Sequence, residues 1–202
     1  MFQRTVAMKA LRALLAIAAL AAAATCAHAQ AAAPKPVFLV ARDGIDNARF
    51  VHAVVLVLDR RTDGASGLVV SRPTGTTLAE AFPQSPRLAG RPDPLLDGGP
   101  LEPDNLAFLF ASKSAVPGTT EVVPGVRLGR DLRLLRKLLD RPDPARGLRV
   151  VAGFIAWGPG QLADEIERGT WRMVPVDARS LVETPPDALW RELHARAFPP
   201  GS

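Results

Sequence analysis

The chain has 202 residues, 25 Lys and Arg against 20 Asp and Glu, a net charge of +5, and a single cysteine. That length supports one sizeable core without covalent staples, and one cysteine excludes both a disulfide framework and a cysteine zinc site. The bases are mostly Arg and interleave with acids along the chain, which argues against the concentrated basic face of a nucleic-acid-binding domain.

The N-terminus reads as an export signal. Arg4, Lys9 and Arg12 form a positive region with no acid through Gln30, and Ala13 to Ala24 is apolar. That run has the length of a signal core and is short for a membrane span. Met8-Lys9-Ala10-Leu11-Arg12 would serve as a positive region by itself. Ala27-His28-Ala29 supplies the small-x-small pattern of a cleavage site, so residues 1–29 are expected to leave before Gln30. Retention as an uncleaved anchor is the alternative. Cleavage removes Arg4, Lys9, Arg12 and Cys26, leaving 173 residues, a net charge of +2 and no cysteine. The mature chain then has no membrane span.

Residues 30–36 read as a linker and 37–198 as one domain. Val37–Ala41 is a short apolar strand. Val51–Leu58 is a longer β-branched run suited to a strand buried on both faces. Thr62-Asp63-Gly64 turns into a second strand at Ser66–Ser71, making a hairpin. Thr77–Phe82 is a short helix capped by Thr76 or Thr77, with Glu80 placed to complete a capping box. Residues 83–94 carry prolines without periodicity and read as loop. Gly98-Gly99-Pro100 is a tight turn before the strand Leu106–Ala111, and a strand pair at 119–128 turns at Pro124-Gly125.

Asp131–Asp140 is the clearest helix. Asp131 caps it, Leu132, Leu135 and Leu139 share a face with Leu138 beside them, and Pro142 ends it. Leu148–Ile155 is another buried strand. Gly158-Pro159-Gly160 breaks it and launches a helix over 160–168, stopped by Gly169. Trp171–Val176 is the last strand, and a helix over 187–196 follows Pro185-Pro186. Helices fall among hairpins rather than alternating with strands, so the expected class is α/β (α+β) with a mixed sheet, not a doubly wound one.

Chemistry is thinly signalled. Gly64-Ala65-Ser66-Gly67 misses the nucleophile-elbow spacing and leads into a strand, so a hairpin turn is expected. His52 reads as a partly buried structural histidine and His194 as a solvated one; neither has a third metal ligand at fixed spacing. Asp59, Arg60, Arg61 and Asp63 read as a solvated hairpin tip. No phosphate loop is present, and Pro159 removes an amide from the glycine corner. No cofactor and no metal are expected. The distinctive stretch is Trp157-Gly158-Pro159-Gly160-Gln161-Leu162. A tryptophan, a glycine-bracketed proline and a helix start make a rigid corner. Free amides there could meet an anion, or Asp164, Glu165 and Glu167 could satisfy them.

Taken in order, several motifs resemble the YqgE/AlgH family of bacterial proteins. They are Phe38-Leu39-Val40-Ala41, Gly64-Ala65-Ser66-Gly67-Leu68-Val69-Val70 with Arg72-Pro73, Gly98-Gly99-Pro100, Trp157 through Leu162 with Glu165, and Gly169-Thr170-Trp171 with Leu189-Trp190. The resemblance spans about 37 to 197. It implies a single domain with a mixed, bent or partly barrel-like sheet surrounded by helices. It implies no reaction and no catalytic residues; some members are labelled as regulators of exopolysaccharide synthesis. Ser71 stands where the family usually has Asn, Ala156 where it has Gly, and Asp59-Arg60-Arg61 replaces a histidine-bearing tip. Family members generally lack an export signal.

The expectation is therefore a periplasmic or secreted binding or interaction domain, meeting a protein or small ligand of the cell envelope. Its surface is placed at Arg72, Gly98, Gly99, Pro100, Trp157, Gly158, Pro159, Gly160, Gln161 and Glu165, because the specific motifs fall at turns and strand ends. A hydrolase using Asp97 or Glu165 with Ser71 or His52 is one alternative. A transcriptional regulator is another, which export would exclude; nucleic acid is not an expected partner.

Overall fold

The computed structural model describes residues 35–61, 63–144 and 146–199. The expected export signal and most of the linker lie outside the described residues. Ten strands form one sheet in the order β10-β1-β2-β3-β9-β6-β8-β7, with β4 and β5 branching from β9. The strands are β1 Val37–Ala41, β2 Val54–Arg61, β3 Gly64–Val69, β4 Pro73–Thr77, β5 Pro94–Asp97, β6 Leu101–Ala111, β7 Thr120–Val123, β8 Val126–Gly129, β9 Leu148–Trp157 and β10 Trp171–Pro175. All pairs are antiparallel except β5 with β9, so the sheet is mixed. It curls into a half-barrel. Val122 and Val123 on one edge strand and Met173 and Val174 on the other line a common groove, which shows how far the curl brings the edges round.

The continuous apolar runs are explained by burial on both faces. In β1, Phe38 and Val40 enter one core cluster while Leu39 and Ala41 enter another, and all four are fully buried. The first cluster collects Leu56, Leu68, Leu109, Val151 and Val174 from five further strands, so it fills the inside of the curl. Leu181 of helix α4 (Ala178–Val182) and Leu189 and Leu193 of α5 (Pro186–Ala197) close it. Outside, α3 (Gln161–Glu167) packs Leu162 against Trp157 and Trp171. The helix α2 (Leu132–Leu139) packs Leu135, Leu138 and Leu139 against Phe108 and Phe110.

Local chemistry sets the element ends. Thr77 caps α1 (Leu78–Ala81): its hydroxyl accepts from the Glu80 amide at 3.2 Å, while Glu80 accepts from the Thr77 amide at 2.7 Å. Asp131 caps α2 through the Arg133 amide at 2.8 Å. The hairpin of β2 and β3 pairs Arg61 with Gly64, and Ser66 lies exposed on the strand, as a turn rather than an elbow requires.

Several expectations are corrected. The second strand starts at Val54, not Val51: Val51 is 44% exposed, and His52 takes φ 54°, which turns the chain before the strand begins. Leu132 does not share the buried face of α2; it opens the first turn at 48% exposure. Strands β4 and β5 and helix α4 arise where no periodicity announced them, because each is only four or five residues long. Strand β6 begins at Leu101, with a register break between Leu101 and Leu106. His52 is exposed, its ring 4.0 Å from that of Trp190. His194 is not solvated: its side chain is 19% exposed, lies between Trp190 and Phe198, and sits 3.3 Å from Asp43.

Candidate functional site

The sequence-predicted residues fall in two places. Arg72 precedes β4 and half-buries its guanidinium between the Asp97 carboxylate at 3.7 Å and the Arg49 carbonyl, to which it donates. Asp97 also accepts from the Gly99 amide at 3.0 Å, which tightens the turn after β5. Gly98 and Gly99 press on β9. A Cβ at Gly98 would overlap the Gly153 carbonyl, and one at Gly99, at φ 141°, would overlap that of Phe154. Only glycine permits so close an approach of backbones. Pro100 is exposed and leads into β6.

The second place is the corner after β9. Trp157 is only 5% exposed and donates its indole N–H to Glu165 at 3.0 Å. Trp171, fully buried, donates to the same carboxylate oxygen at 2.7 Å. Gln161 donates to the other oxygen at 2.9 Å and accepts from the Gly158 amide at 3.1 Å. Gly160 turns into α3 at φ 78°. The carboxylate of Glu165 thus binds two indoles and one amide internally. Gly158, Pro159, Gly160 and Gln161 are exposed, and Gly158 and Gly160 line a hollow of about 350 Å³ with Gly64, Ala65, Leu162 and Ile166. Asp97 stands opposite Ala152 and Ala65 opposite Trp157, so the two places are up to ~17 Å apart along β9. They do not form one site.

Between them lies a cleft that the motifs did not announce. It has a volume of about 670 Å³ and lies on the sheet face from which Leu56, Leu68 and Ala107 enter the first core cluster. Leu56, Leu58, Leu68, Leu106 and Phe154 make an apolar floor; Asp59, Glu102, Asp104, Asn105 and Arg130 make a polar rim. Three acids against one base leave the rim negative. Glu102 sits at φ 46°, one of two non-glycine residues at positive φ among those described, and it accepts from the Asn105 amide. Such conformations persist where the surroundings hold them and concentrate at functional sites. The glycines have a role here: Gly98 and Gly99 bring the chain across β9 so that Leu101 meets Phe154 and Glu102 reaches the rim. The cleft escaped the sequence because its lining comes from five separate segments. The available signal was the polar interruption Glu102-Pro103-Asp104-Asn105 between a glycine turn and an apolar strand.

The groups weighed for hydrolysis do not meet. Ser71 is 8% exposed, and its hydroxyl accepts from the Val54 amide at 2.8 Å and donates to the His52 carbonyl at 3.2 Å. The His52 ring lies tilted against Trp190, Asp97 serves the glycine turn, and Glu165 serves the tryptophans. Among the described residues no group of three or more His, Cys, Asp or Glu side chains could hold a metal, and no helix is long and apolar enough to cross a membrane.

Comparison with known proteins places the chain. The AlgH-like family model (DUF179) matches residues 38–199. A UPF0301 protein of Streptomyces avermitilis is 33% identical over 166 residues, covering 78% of this chain and 83% of the relative. One of Thioalkalivibrio sulfidiphilus is 29% identical, covering 79% and 87%. The solution structure of the AlgH protein from Pseudomonas aeruginosa superposes with a TM-score of 0.65 at 24% identity over 84% of this chain and 90% of that one. A crystal structure of a Corynebacterium diphtheriae protein gives 0.64 at 23%, over 83% and 88%. These two likenesses establish the fold: a single α+β domain with a curled half-barrel sheet. With the family model spanning nearly every described residue, the chain belongs to the AlgH-like family, a family of unknown function.

Proposed function

We propose that this chain is an exported, non-enzymatic binding domain whose ligand occupies the cleft inside the half-barrel. The observation that carries the reading is the cleft itself: about 670 Å³ of open volume with a leucine and phenylalanine floor and a net acidic rim. Ligand sites have this size and pair apolar walls with a few polar groups. The occupant that fits is an amphipathic cation, with an apolar body against Leu56, Leu68 and Phe154 and an amine toward Asp59, Glu102 and Asp104. The residues expected to form the surface support this as a frame: the glycine turn brings β6 against β9, and Glu165 ties Trp157 at the end of β9 to Trp171 of β10. Export rests on the N-terminal pattern alone, the basic residues, the apolar run and Ala27-His28-Ala29.

Binding is tested by titrating short alkylamines and arylalkylamines into isotope-labelled protein and mapping amide shifts. The reading expects shifts at Leu56–Asp59 and Glu102–Ala107. It also expects their loss in Ser66→Trp, which places an indole in the cleft from an exposed strand position. Shifts confined to the tryptophan corner would move the site there. Fractionation of the native host with mass measurement of the N-terminus tests export: a chain starting at Gln30 outside the cytoplasm supports it, and an intact chain in the cytosol refutes it.

A further inference from the structure

A second cavity, of about 730 Å³, lies on another side of the domain, between the start of β9, the β4–β5 pair and the segment joining α4 to α5. On its wall is Arg149, only 6% exposed. The guanidinium donates to two backbone carbonyls, those of Val70 at 3.5 Å and Thr184. Among the described residues no carboxylate forms an ion pair with it, and two carbonyls are its acceptors. Burial pushes its pKa down to about 10, so it keeps its charge at neutral pH. A buried cation normally has an anion beside it, because neutral acceptors do not cancel the cost of leaving water.

Two carbonyl bonds explain how the arginine is held, but not why a charge is there. A neutral donor could tie the α4–α5 segment to Val70, just after β3, without the cost of burying a charge. The cavity supplies what is missing. Part of its wall is apolar, with Leu78, Leu96, Leu148 and Val182 beside prolines. The N-terminus of α5, a twelve-residue helix, opens into it at Pro185, which offers no capping side chain. Other charges face the cavity: Arg146 adds to the attraction, while Asp93, Glu183 and Asp187 oppose it. Asp93 is already bound by Arg91 at 2.9 Å. Rim acids of this number repel a dianion more than a monoanion.

We propose that Arg149 is the anchor of a second binding site, which takes an organic monocarboxylate: the carboxylate against the buried guanidinium and an apolar body along the leucine and proline walls. The charge preference is opposite to that of the half-barrel cleft, so the two sites are separable by experiment.

The test uses hexanoate and benzoate as probes, with chloride and phosphate as controls at matched ionic strength. Wild-type protein is expected to gain thermal stability with carboxylate concentration beyond the chloride control. The Arg149 Nε–Hε resonance and the Thr184 amide should shift in the same titration. Arg149→Met is expected to bind at least about tenfold more weakly, the loss of one charge-assisted contact. No carboxylate effect above chloride, or an equal effect in Arg149→Met, overturns the proposal and leaves the arginine as a structural tie. A phosphate response matching the carboxylate response overturns the monoanion assignment. If Arg149→Met does not fold, the Nε–Hε shift in wild-type protein decides alone: a stationary resonance at saturating probe refutes the site.

Discussion

Replacing Glu165 by alanine removes the one carboxylate that both corner tryptophans share. Trp171 is fully buried and Trp157 nearly so, and each donates its indole N–H to the same oxygen, at 2.7 and 3.0 Å. A buried donor left without a partner costs about 1–3 kcal/mol. Glu165 is itself partly exposed, so water can reach some of the vacated space and relieve Trp157 more than Trp171. The expected loss is therefore about 3 kcal/mol, a substantial share of the roughly 5–15 kcal/mol of an ordinary domain. It should lower Tm by about 6–12 °C for a domain of this size. The assay is urea unfolding followed by far-ultraviolet circular dichroism, since tryptophan fluorescence changes with the mutation itself. The slope against urea should not change. Glu165→Gln keeps one uncharged acceptor oxygen and should lose roughly half as much. A loss below about 0.5 kcal/mol in Glu165→Ala, the ordinary range for surface substitutions, would refute the reading of this corner as a clamp.

Gly153→Ala should prevent stable folding, because the backbone sits at φ 75° and a Cβ would overlap the Gly99 carbonyl; soluble yield and circular dichroism check it. Gly160→Ala has a similar φ of 78° but open space, so it should cost only about 1–2 kcal/mol in the same unfolding assay. On α2, Leu135→Ala should cost about 2–5 kcal/mol and Leu132→Ala almost nothing, since the first is fully buried and the second 48% exposed. Asp177 is partly buried, which raises its pKa, but hydrogen bonds from Ser180 and Arg196 outweigh this and hold it below 3.8. A depressed carboxyl stabilises the fold above its unfolded pKa, and that contribution is lost as pH falls through the folded value. Asp177→Asn should therefore show a shallower loss of stability than wild type below about pH 4 in acid titrations.

Much of the fold was legible because the strongest signals are local. The limits of β1 follow directly from its apolar run. The capping box of Thr77 and Glu80 marks α1, Asp131 marks α2, and Pro124-Gly125 marks the turn between β7 and β8. What stayed hidden is what forms only on folding. Strand β4 reads Pro-Thr-Gly-Thr-Thr and has no apolar alternation; it exists because β5 pairs with it. The turn that shifts β2 depends on His52 adopting positive φ, with its ring against Trp190 well over a hundred residues later. Leu132 fits the helical stripe by spacing, yet at the first turn of α2 it lies beyond the core and on the lip of the cleft. The motif-bearing glycines and tryptophans were visible, but their bonds point inward. The cleft they frame could not be read from them, because it is assembled by the curl of the whole sheet.

The central claim is that the half-barrel cleft holds a ligand, and a crystal structure of the complex tests it most directly. Crystals of the mature chain grown with the tightest-binding amine should show that amine over Leu56, Leu68 and Phe154, with its nitrogen within hydrogen-bond distance of Glu102, Asp104 or Asp59. An amine bound elsewhere, or an empty cleft at saturating concentration with binding established in solution, would contradict the account.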